Sequence, residues 1–178
     1  FPVSPNTLAL VHDFLARSVQ PGDLCVDATA GRGRDTALLC RLTGPAGRVL
    51  AFDIQPAAVA ATEALLAAEG LTAAVHLASH AEMERFLPPE SVSAMVFNFG
   101  RLPGGDPGIV TRAESSLAGI EVGLRLLKPG GGMALAHLPE HIFKCLAVFP
   151  VQCLIAPPVH ILGTGGPLGI DVAHDPAV

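Results

Sequence analysis

The chain has 178 residues, of which 50% are hydrophobic and 15% are charged, and its net charge at pH 7 is −5. This composition excludes a disordered chain, and the acidic balance excludes a protein coated in positive charge for nonspecific nucleic-acid binding. No apolar run approaches the roughly 20 residues of a membrane helix, so no membrane partner is expected. We expect one domain over residues 1–178, with a sizeable core.

Short apolar segments alternate with helical patterns along most of the chain. The predicted strands are residues 23–28, 48–52, 73–78, 93–97 and 133–138. The predicted helices begin at Pro5 and then cover 35–42, 56–69, 81–86 and a segment with Leu117, Ile120, Leu124 and Leu127 on one face, closed by 128–132. Strands that alternate with helices predict an α/β fold with a mostly parallel sheet and helices on both faces.

The pattern becomes atypical from about residue 139. Residues 149–155 and 159–162 could form strands, and the Gly- and Pro-rich end has no periodicity. An apolar segment at 151–155 could form a sheet edge or a dimer contact, so a homodimer is one expectation. The four cysteines form no C-x-x-C pair, which predicts free thiols and a cytoplasmic protein.

The stretch from Val26 to Thr36 joins the first strand to the next helix through Gly31 and Gly33. Glycine lets the backbone approach a ligand closely, and a helix start offers free N–H groups. Parallel sheets bind ligands beyond the carboxyl ends of their strands. The segments expected at that edge are 27–34, 53–55, 79–80, 98–106 and 137–141.

Two carboxylates at this edge narrow the choice of ligand. Asp53 ends the second strand, where an acidic residue can accept hydrogen bonds from both ribose hydroxyls. A dinucleotide loop needs a third glycine where this chain has Thr36, and Asp27 suits a cationic amino-acid head better than a pyrophosphate. The pattern therefore favours S-adenosylmethionine over NAD, and the lack of tyrosine argues against a nicotinamide oxidoreductase.

Three runs of sequence resemble the rRNA methylase family: DATAGRGRDT at 27–36, AFDIQ at 51–55 and FNFGRLPGGD at 97–106. The resemblance extends from about residue 4 to residue 136, and the third run is its most specific part. It implies a Rossmann-like class I methyltransferase that uses S-adenosylmethionine. It also implies an RNA substrate, with the aminomethyl nitrogen of 5-aminomethyl-2-thiouridine in the tRNA anticodon loop as the methyl acceptor.

The resemblance also implies roles for individual residues. Those expected to hold the cofactor are Asp27, Ala28, Thr29, Ala30, Gly31, Gly33, Asp35, Thr36, Asp53, Ile54, Gln55, Ser79, His80, Asn98 and Gly100. Those expected at the substrate edge are Arg32, Arg34, Arg101, Leu102, Pro103 and Arg112, whose arginines could contact RNA phosphates. The expected catalytic residues are Asn98, orienting the acceptor through its carbonyl, and Asp106, accepting an amine proton or pairing with the aminomethyl cation.

Other interpretations stay open at this point. The acceptor could be rRNA or a small molecule, and the chain could be a cofactor-binding module with lost or altered catalysis. His137 and His141 have the spacing of metal ligands on a helix, but Pro139 lies between them and no third ligand is at a suitable spacing. We therefore expect no metal.

Overall fold

The structure is a computed structural model that describes residues 5–100, 113–137, 152–156 and 159–163. Its helices are α1 (Pro5–Ser18), α2 (Arg34–Thr43), α3 (Pro56–Glu69) and α4 (Ala113–Leu126), with a 3-10 helix at His80–Arg85. Its strands are β1 (Leu24–Asp27), β2 (Arg48–Asp53), β3 (Ala74–Leu77), β4 (Val92–Asn98), β5 (Leu127–Ala136), β6 (Gln152–Ala156) and β7 (Val159–Gly163). None of the helices in these ranges is both long and apolar enough to cross a membrane.

The strands form one sheet in the order β3-β2-β1-β4-β5-β7-β6. Neighbouring strands from β3 to β5 are parallel, whereas β7 is antiparallel to both β5 and β6. The chain moves outward from β1 to β3 and then returns to β4 on the other side of β1. Ligands of open α/β sheets bind at such a reversal, beyond the carboxyl ends of the strands. The topology therefore places the candidate site at the ends of β1, β2 and β4.

The core lies on both faces of the sheet because the central strands are apolar on both sides. Val26 and Phe97 belong to the layer beneath α4 and the 3-10 helix, and neither is exposed to solvent. Their neighbours Cys25 and Val96 belong to the opposite layer, with Leu15 of α1. Burial of each large side chain contributes about 1.5–3 kcal/mol, so two full layers hold the strand ends at fixed positions.

The strand prediction was wrong at the start of β5. Residues 128–132 were expected to close the preceding helix, with the strand beginning at Met133. Instead α4 ends at Leu126, and Leu127 already pairs with Val92 at the start of β4. The pairing then jumps to Gly132 opposite Ala94, because the intervening Gly-rich residues form an irregularity in the ladder.

The predicted closing strands are present in the described part of the tail. Residues 152–156 and 159–163 form an antiparallel hairpin, and its second strand adds to the edge of β5. The sheet is therefore mostly parallel with one antiparallel strand, as expected for a Rossmann-like class I methyltransferase fold. The hairpin puts β6 on the outer edge of the sheet, where the sequence suggested an edge or dimer contact.

Gly47 tests how tightly the β1–β2 connection is packed. A Cβ atom at this position would lie 2.8 Å from the Thr43 carbonyl oxygen and 2.9 Å from the Asp23 carbonyl oxygen. We expect Gly47→Ala to lower the free energy of unfolding by about 1–3 kcal/mol, because neither backbone oxygen can move freely. Urea unfolding measures this loss, and Ala46→Ser at the exposed neighbour is the control. Equal midpoints for the two variants would contradict the packing.

Candidate functional site

Asp27 is fully buried at the end of β1 and organises the loop that follows. One carboxylate oxygen accepts a hydrogen bond from the Thr29 amide at 3.1 Å, and the other accepts one from the Thr36 hydroxyl at 2.6 Å. A single carboxylate thus joins the strand, the turn and the first part of α2. This arrangement explains why the sequence places an acidic residue before the loop and a hydroxyl at position 36.

Burial raises the pKa of the Asp27 carboxyl because its ionised form is poorly solvated there. The nearby charges of Asp35 and Asp53 raise this pKa further, while the hydrogen bonds from Thr36 and Thr29 oppose the shift. Three carboxyl groups therefore meet at one end of the sheet. Such a site attracts positive charge and repels a pyrophosphate.

Asp53 fastens the glycine loop to the end of β2. Its two carboxylate oxygens accept hydrogen bonds from the Gly31 amide at 3.0 Å and from the Gln55 amide at 2.9 Å. The Asp53 side chain is only half-buried, and each carboxylate oxygen has a second lone pair. It can therefore hold the loop and still accept a hydrogen bond from a ligand hydroxyl.

Gly33 is required by the close packing of the loop on α3. It has a φ of 81°, and a Cβ atom there would lie 2.9 Å from the Thr62 Cα atom. The Thr62 hydroxyl also donates a hydrogen bond to the Gly31 carbonyl oxygen at 3.3 Å. Any other residue at position 33 would be strained and would also push α3 away. Ala28 and Ala30 complete the loop as buried residues.

The start of α2 is tied to α1 through Asp35. The Asp35 carboxylate is 2.9 Å from Nε2 of His12, and it is almost completely buried. Arg32 and Arg34, on either side of Gly33, are exposed instead. A cation at the start of a helix is disfavoured by the helix dipole, so Arg34 is not there to stabilise α2.

A hydrogen bond joins the loop after β1 to the end of β4. The backbone N–H of Asn98 donates to the Thr29 hydroxyl oxygen at 2.7 Å. The Asn98 side chain faces a second neighbour, His137, which directly follows β5. Nδ1 of His137 is 2.8 Å from Oδ1 of Asn98, and the Gly100 amide donates to the same Oδ1 at 3.3 Å. The sequence analysis expected this carbonyl to orient the acceptor, but protein groups already occupy it.

Ser79 and His80 shape the connection after β3. The Ser79 hydroxyl accepts a hydrogen bond from the Ala81 amide at 3.2 Å, which caps the 3-10 helix. Nε2 of His80 donates to the Ser115 carbonyl oxygen at 3.0 Å, and the ring packs edge-on against Phe97. Burial lowers the pKa of His80, so the neutral imidazole links this segment to α4. Position 119 faces the His80 ring and requires glycine, because a Cβ atom there would lie 2.2 Å from the ring.

An apolar surface flanks Asp53 on the β3 side of the edge. Ile54 is 53% exposed and Leu77 is 57% exposed, although both are large hydrophobic residues. Leu77 lies beside Asp53 in the register of β2 and β3, and the sequence analysis did not single it out. Its signal was available, because it is an apolar residue at the end of a strand. Together with half-buried Gln55, these side chains suit a flat, partly apolar group.

The fold thus brings all of the expected cofactor residues to one edge. The members of this group are Asp27, Ala28, Thr29, Ala30, Gly31, Gly33, Asp35, Thr36, Asp53, Ile54, Gln55, Ser79, His80, Asn98 and Gly100. The remaining expected residues Arg101, Leu102, Pro103, Asp106 and Arg112 lie outside the described residues. His137 was expected at this edge and was weighed as a metal ligand, but its contact with Asn98 was not predicted. No cluster of metal ligands is found among the described residues.

The chain matches the family described as "Putative rRNA methylase" over residues 49–142. It is 33% identical over 143 residues to a chloroplastic tRNA (mnm(5)s(2)U34)-methyltransferase from Arabidopsis thaliana, a match covering 74% of this chain and 52% of that protein. The chain therefore spans about half the length of this curated relative.

Two solved structures have a similar fold. A "putative rRNA-methylase" from Clostridium thermocellum superposes with a TM-score of 0.77 at 30% identity, covering 90% of this chain and 97% of that one. A "putative methyltransferase" from Streptococcus mutans, solved in complex with SAH, superposes with a TM-score of 0.74 at 24% identity, covering 88% of this chain and 95% of that one. The second similarity concerns the fold.

The raised pKa of Asp27 predicts a specific pH dependence of stability. The folded protein holds this proton more tightly than the unfolded chain, whose carboxyl has an ordinary pKa of 3.8. The contribution of the protonated form is therefore present at low pH and is lost as the pH rises through the raised pKa. Asp27→Asn keeps a neutral group of similar shape at every pH. We expect wild-type stability to fall relative to Asp27→Asn between about pH 4 and about pH 8.

Urea unfolding of both proteins across this pH range measures their free energies of unfolding. Subtracting one curve from the other cancels the contributions of the histidines, which both proteins share. Curves that run parallel would show that the Asp27 pKa is not raised in the folded protein.

Proposed function

The chain belongs to the rRNA methylase family, and from this premise we propose that it is an S-adenosylmethionine-dependent methyltransferase acting on RNA. The observation that carries the proposal is the loop from Asp27 to Gly33. It is fixed to β1 by Asp27 and to the end of β2 by Asp53, directly beside the Asn98 end of β4. The elements that would hold the methyl donor and the methyl acceptor are thus linked to one another.

The residues at this edge fit S-adenosylmethionine. The ligand has a positive ammonium and a positive sulfonium but no phosphate, and the charges of Asp35 and Asp53 beside Asp27 make the edge negative. Residues 28–33 and Asp27 would hold the methionine part, Asp53 the ribose, and Ile54 and Gln55 the adenine. When bound, this cofactor supplies a methyl group on a sulfonium sulfur, which is open to direct displacement by a nitrogen.

The protein's own task is then to align the acceptor and keep it unprotonated. The Asn98 end of β4 would line the point where the methyl group emerges, with Gly100 leaving space beside it. Asp106 follows in the run that the family shares, and we retain it as a candidate that pairs with the cationic group of the acceptor. No covalent nucleophile is needed for this chemistry.

The acceptor that we propose is the aminomethyl nitrogen of 5-aminomethyl-2-thiouridine at the tRNA wobble position. The support is the relative from Arabidopsis thaliana, whose name specifies mnm(5)s(2)U34 in tRNA. The family description supports rRNA as the competing acceptor. A small-molecule acceptor and a cofactor-binding module without catalysis are the remaining alternatives, and the experiment below distinguishes both from methyl transfer to RNA.

Two measurements test the proposal in sequence. Calorimetry with S-adenosylmethionine should show binding, and a complete lack of binding would contradict the cofactor assignment. The protein is then incubated with labelled cofactor and with tRNA that lacks the wobble methyl group, or with unmodified rRNA as the comparison. We expect label in the tRNA wobble nucleoside, identified by mass spectrometry of the digest. Label in rRNA alone would favour rRNA as the acceptor, and binding without transfer to either RNA would favour a noncatalytic module or a small-molecule acceptor.

Arg34 tests the RNA side of the site. It is exposed at the first residue of α2, beside the loop, and a cation there has no stabilising role in the helix. We expect Arg34→Ala to weaken tRNA binding by about threefold to tenfold and to reduce the salt slope of binding by about 1, since one phosphate contact is lost. S-adenosylmethionine binding should be unchanged.

Arg48→Ala is the matched control for Arg34→Ala, because Arg48 is also exposed but begins β2 at the opposite edge of the sheet. Both variants remove one positive charge, so a general charge effect would weaken both equally. Equal tRNA affinities of the two variants would contradict a local RNA contact at the loop.

A further inference from the structure

The orientation of the Asn98 amide can be assigned from its neighbours. The Gly100 backbone N–H can only donate, so the Asn98 atom facing it must be the oxygen. The same oxygen is 2.8 Å from Nδ1 of His137, a shorter and stronger contact. Oδ1 therefore receives two donors, and the NH₂ group of Asn98 is the part that remains for a ligand.

This assignment fixes the tautomer of His137. Because Oδ1 of Asn98 is an acceptor, Nδ1 of His137 must carry the hydrogen. In the neutral imidazole, Nε2 then holds a lone pair and no hydrogen. Nε2 forms no hydrogen bond with the described residues. A basic nitrogen is thus placed at the carboxyl end of β5, next to the end of β4.

The backbone shows that this placement is specific. His137 has a φ of 55°, in the left-handed region that residues other than glycine seldom adopt. Such a conformation is unfavourable and persists only where surrounding contacts impose it. Gly100 contributes space, since a Cβ atom there would lie 3.2 Å from Oδ1 of Asn98 and 3.7 Å from Nδ1 of His137. A larger residue at position 100 would crowd the pair.

The other histidines with described side chains have different surroundings. His12 contacts the Asp35 carboxylate, His80 donates to a backbone carbonyl in the protein interior, and His76 stacks on Phe52 at the edge of the sheet. Among these four, only His137 has a ring nitrogen bonded to a side-chain amide. Burial lowers the pKa of His137, which keeps its imidazole neutral at physiological pH.

We infer that His137, oriented by Asn98, is the proton acceptor for the nitrogen that receives the methyl group. The inference rests on the proposed methyltransferase function and assigns a catalytic role that the sequence analysis gave to Asp106 and the Asn98 carbonyl. Nε2 accepts a hydrogen bond from an N–H group of the acceptor. The acceptor binds as an ammonium: one N–H bond breaks, its electron pair stays on the nitrogen as the lone pair, and the proton binds to Nε2. The resulting neutral amine would then displace the methyl group of the cofactor, so that the N–C bond forms as the C–S bond breaks and a neutral thioether leaves. The imidazolium then releases this proton to water.

The tautomer provides a test that needs neither RNA nor cofactor. Nitrogen-15 NMR of the histidine-labelled protein should show His137 with hydrogen on Nδ1 and a bare Nε2. Asn98→Ala removes the oxygen that selects this tautomer, so the His137 signals should change toward the Nε2–H form while those of His76 stay constant. Hydrogen on Nε2 in the wild-type protein would overturn the inference.

Activity and rescue provide the second test. His137→Gly removes the base while glycine adopts a φ of 55° without strain, so the variant should fold. We expect kcat for RNA methylation to fall by about 10²–10⁴-fold, with S-adenosylmethionine affinity unchanged. Added imidazole should restore part of the lost rate in His137→Gly and leave the wild-type rate unaltered. A group that only positions Asn98 would give no rescue.

A conservative pair completes the design. His137→Gln retains an N–H donor for Asn98 but has no basic nitrogen, so it should be as slow as His137→Gly. His76→Gln is the matched control and should keep wild-type kcat. Wild-type rates in His137→Gln, or an acidic limb of the kcat profile that survives in it, would overturn the inference. If the wild-type protein methylates no RNA at all, the proposed function fails, and the NMR test still decides the tautomer.

Discussion

The buried carboxylate of Asp27 is the interaction on which the site depends. It satisfies the Thr29 amide and the Thr36 hydroxyl at once, and this fixes the turn between β1 and α2. The hydroxyl of Thr29, which is held in this way, accepts a hydrogen bond from the backbone N–H of Asn98. The loop after β1 and the end of β4 are therefore positioned by one continuous set of contacts. A buried unpaired carboxylate is costly, so removing either partner would disturb both sides.

Much of the fold could be predicted from local patterns. The runs that form β1, β2 and β4 are apolar on both faces, and Pro56 and Gly70 mark the ends of α3 in the expected way. The start of β5 could not be predicted, because its Gly-rich residues have little strand propensity. They pair with β4 only because Leu127 and Val92 are adjacent in the folded sheet. Tertiary contacts decided the structure there.

Parts of the candidate site could be predicted where the residue type and its position at a strand end indicate the same role. Asp27 and Asp53 are acidic residues at strand ends, and both lie where the α/β pattern placed them. The Asn98–His137 contact could not be predicted, because it joins the last residue of β4 to the residue after β5 in a register that the sequence does not reveal. Leu77 was missed for a simpler reason, since an exposed leucine resembles a core leucine in sequence.

The antiparallel strand β7 has a consequence for synthesis of the protein on the ribosome. It is the only neighbour of β5 on that side, and it ends at Gly163, long after β5 has been made. Until then, the nascent sheet presents a row of unpaired N–H and C=O groups on a central, apolar strand, a template for pairing with other chains. The hairpin of β6 and β7 thus protects β5 from aggregation as well as extending the sheet.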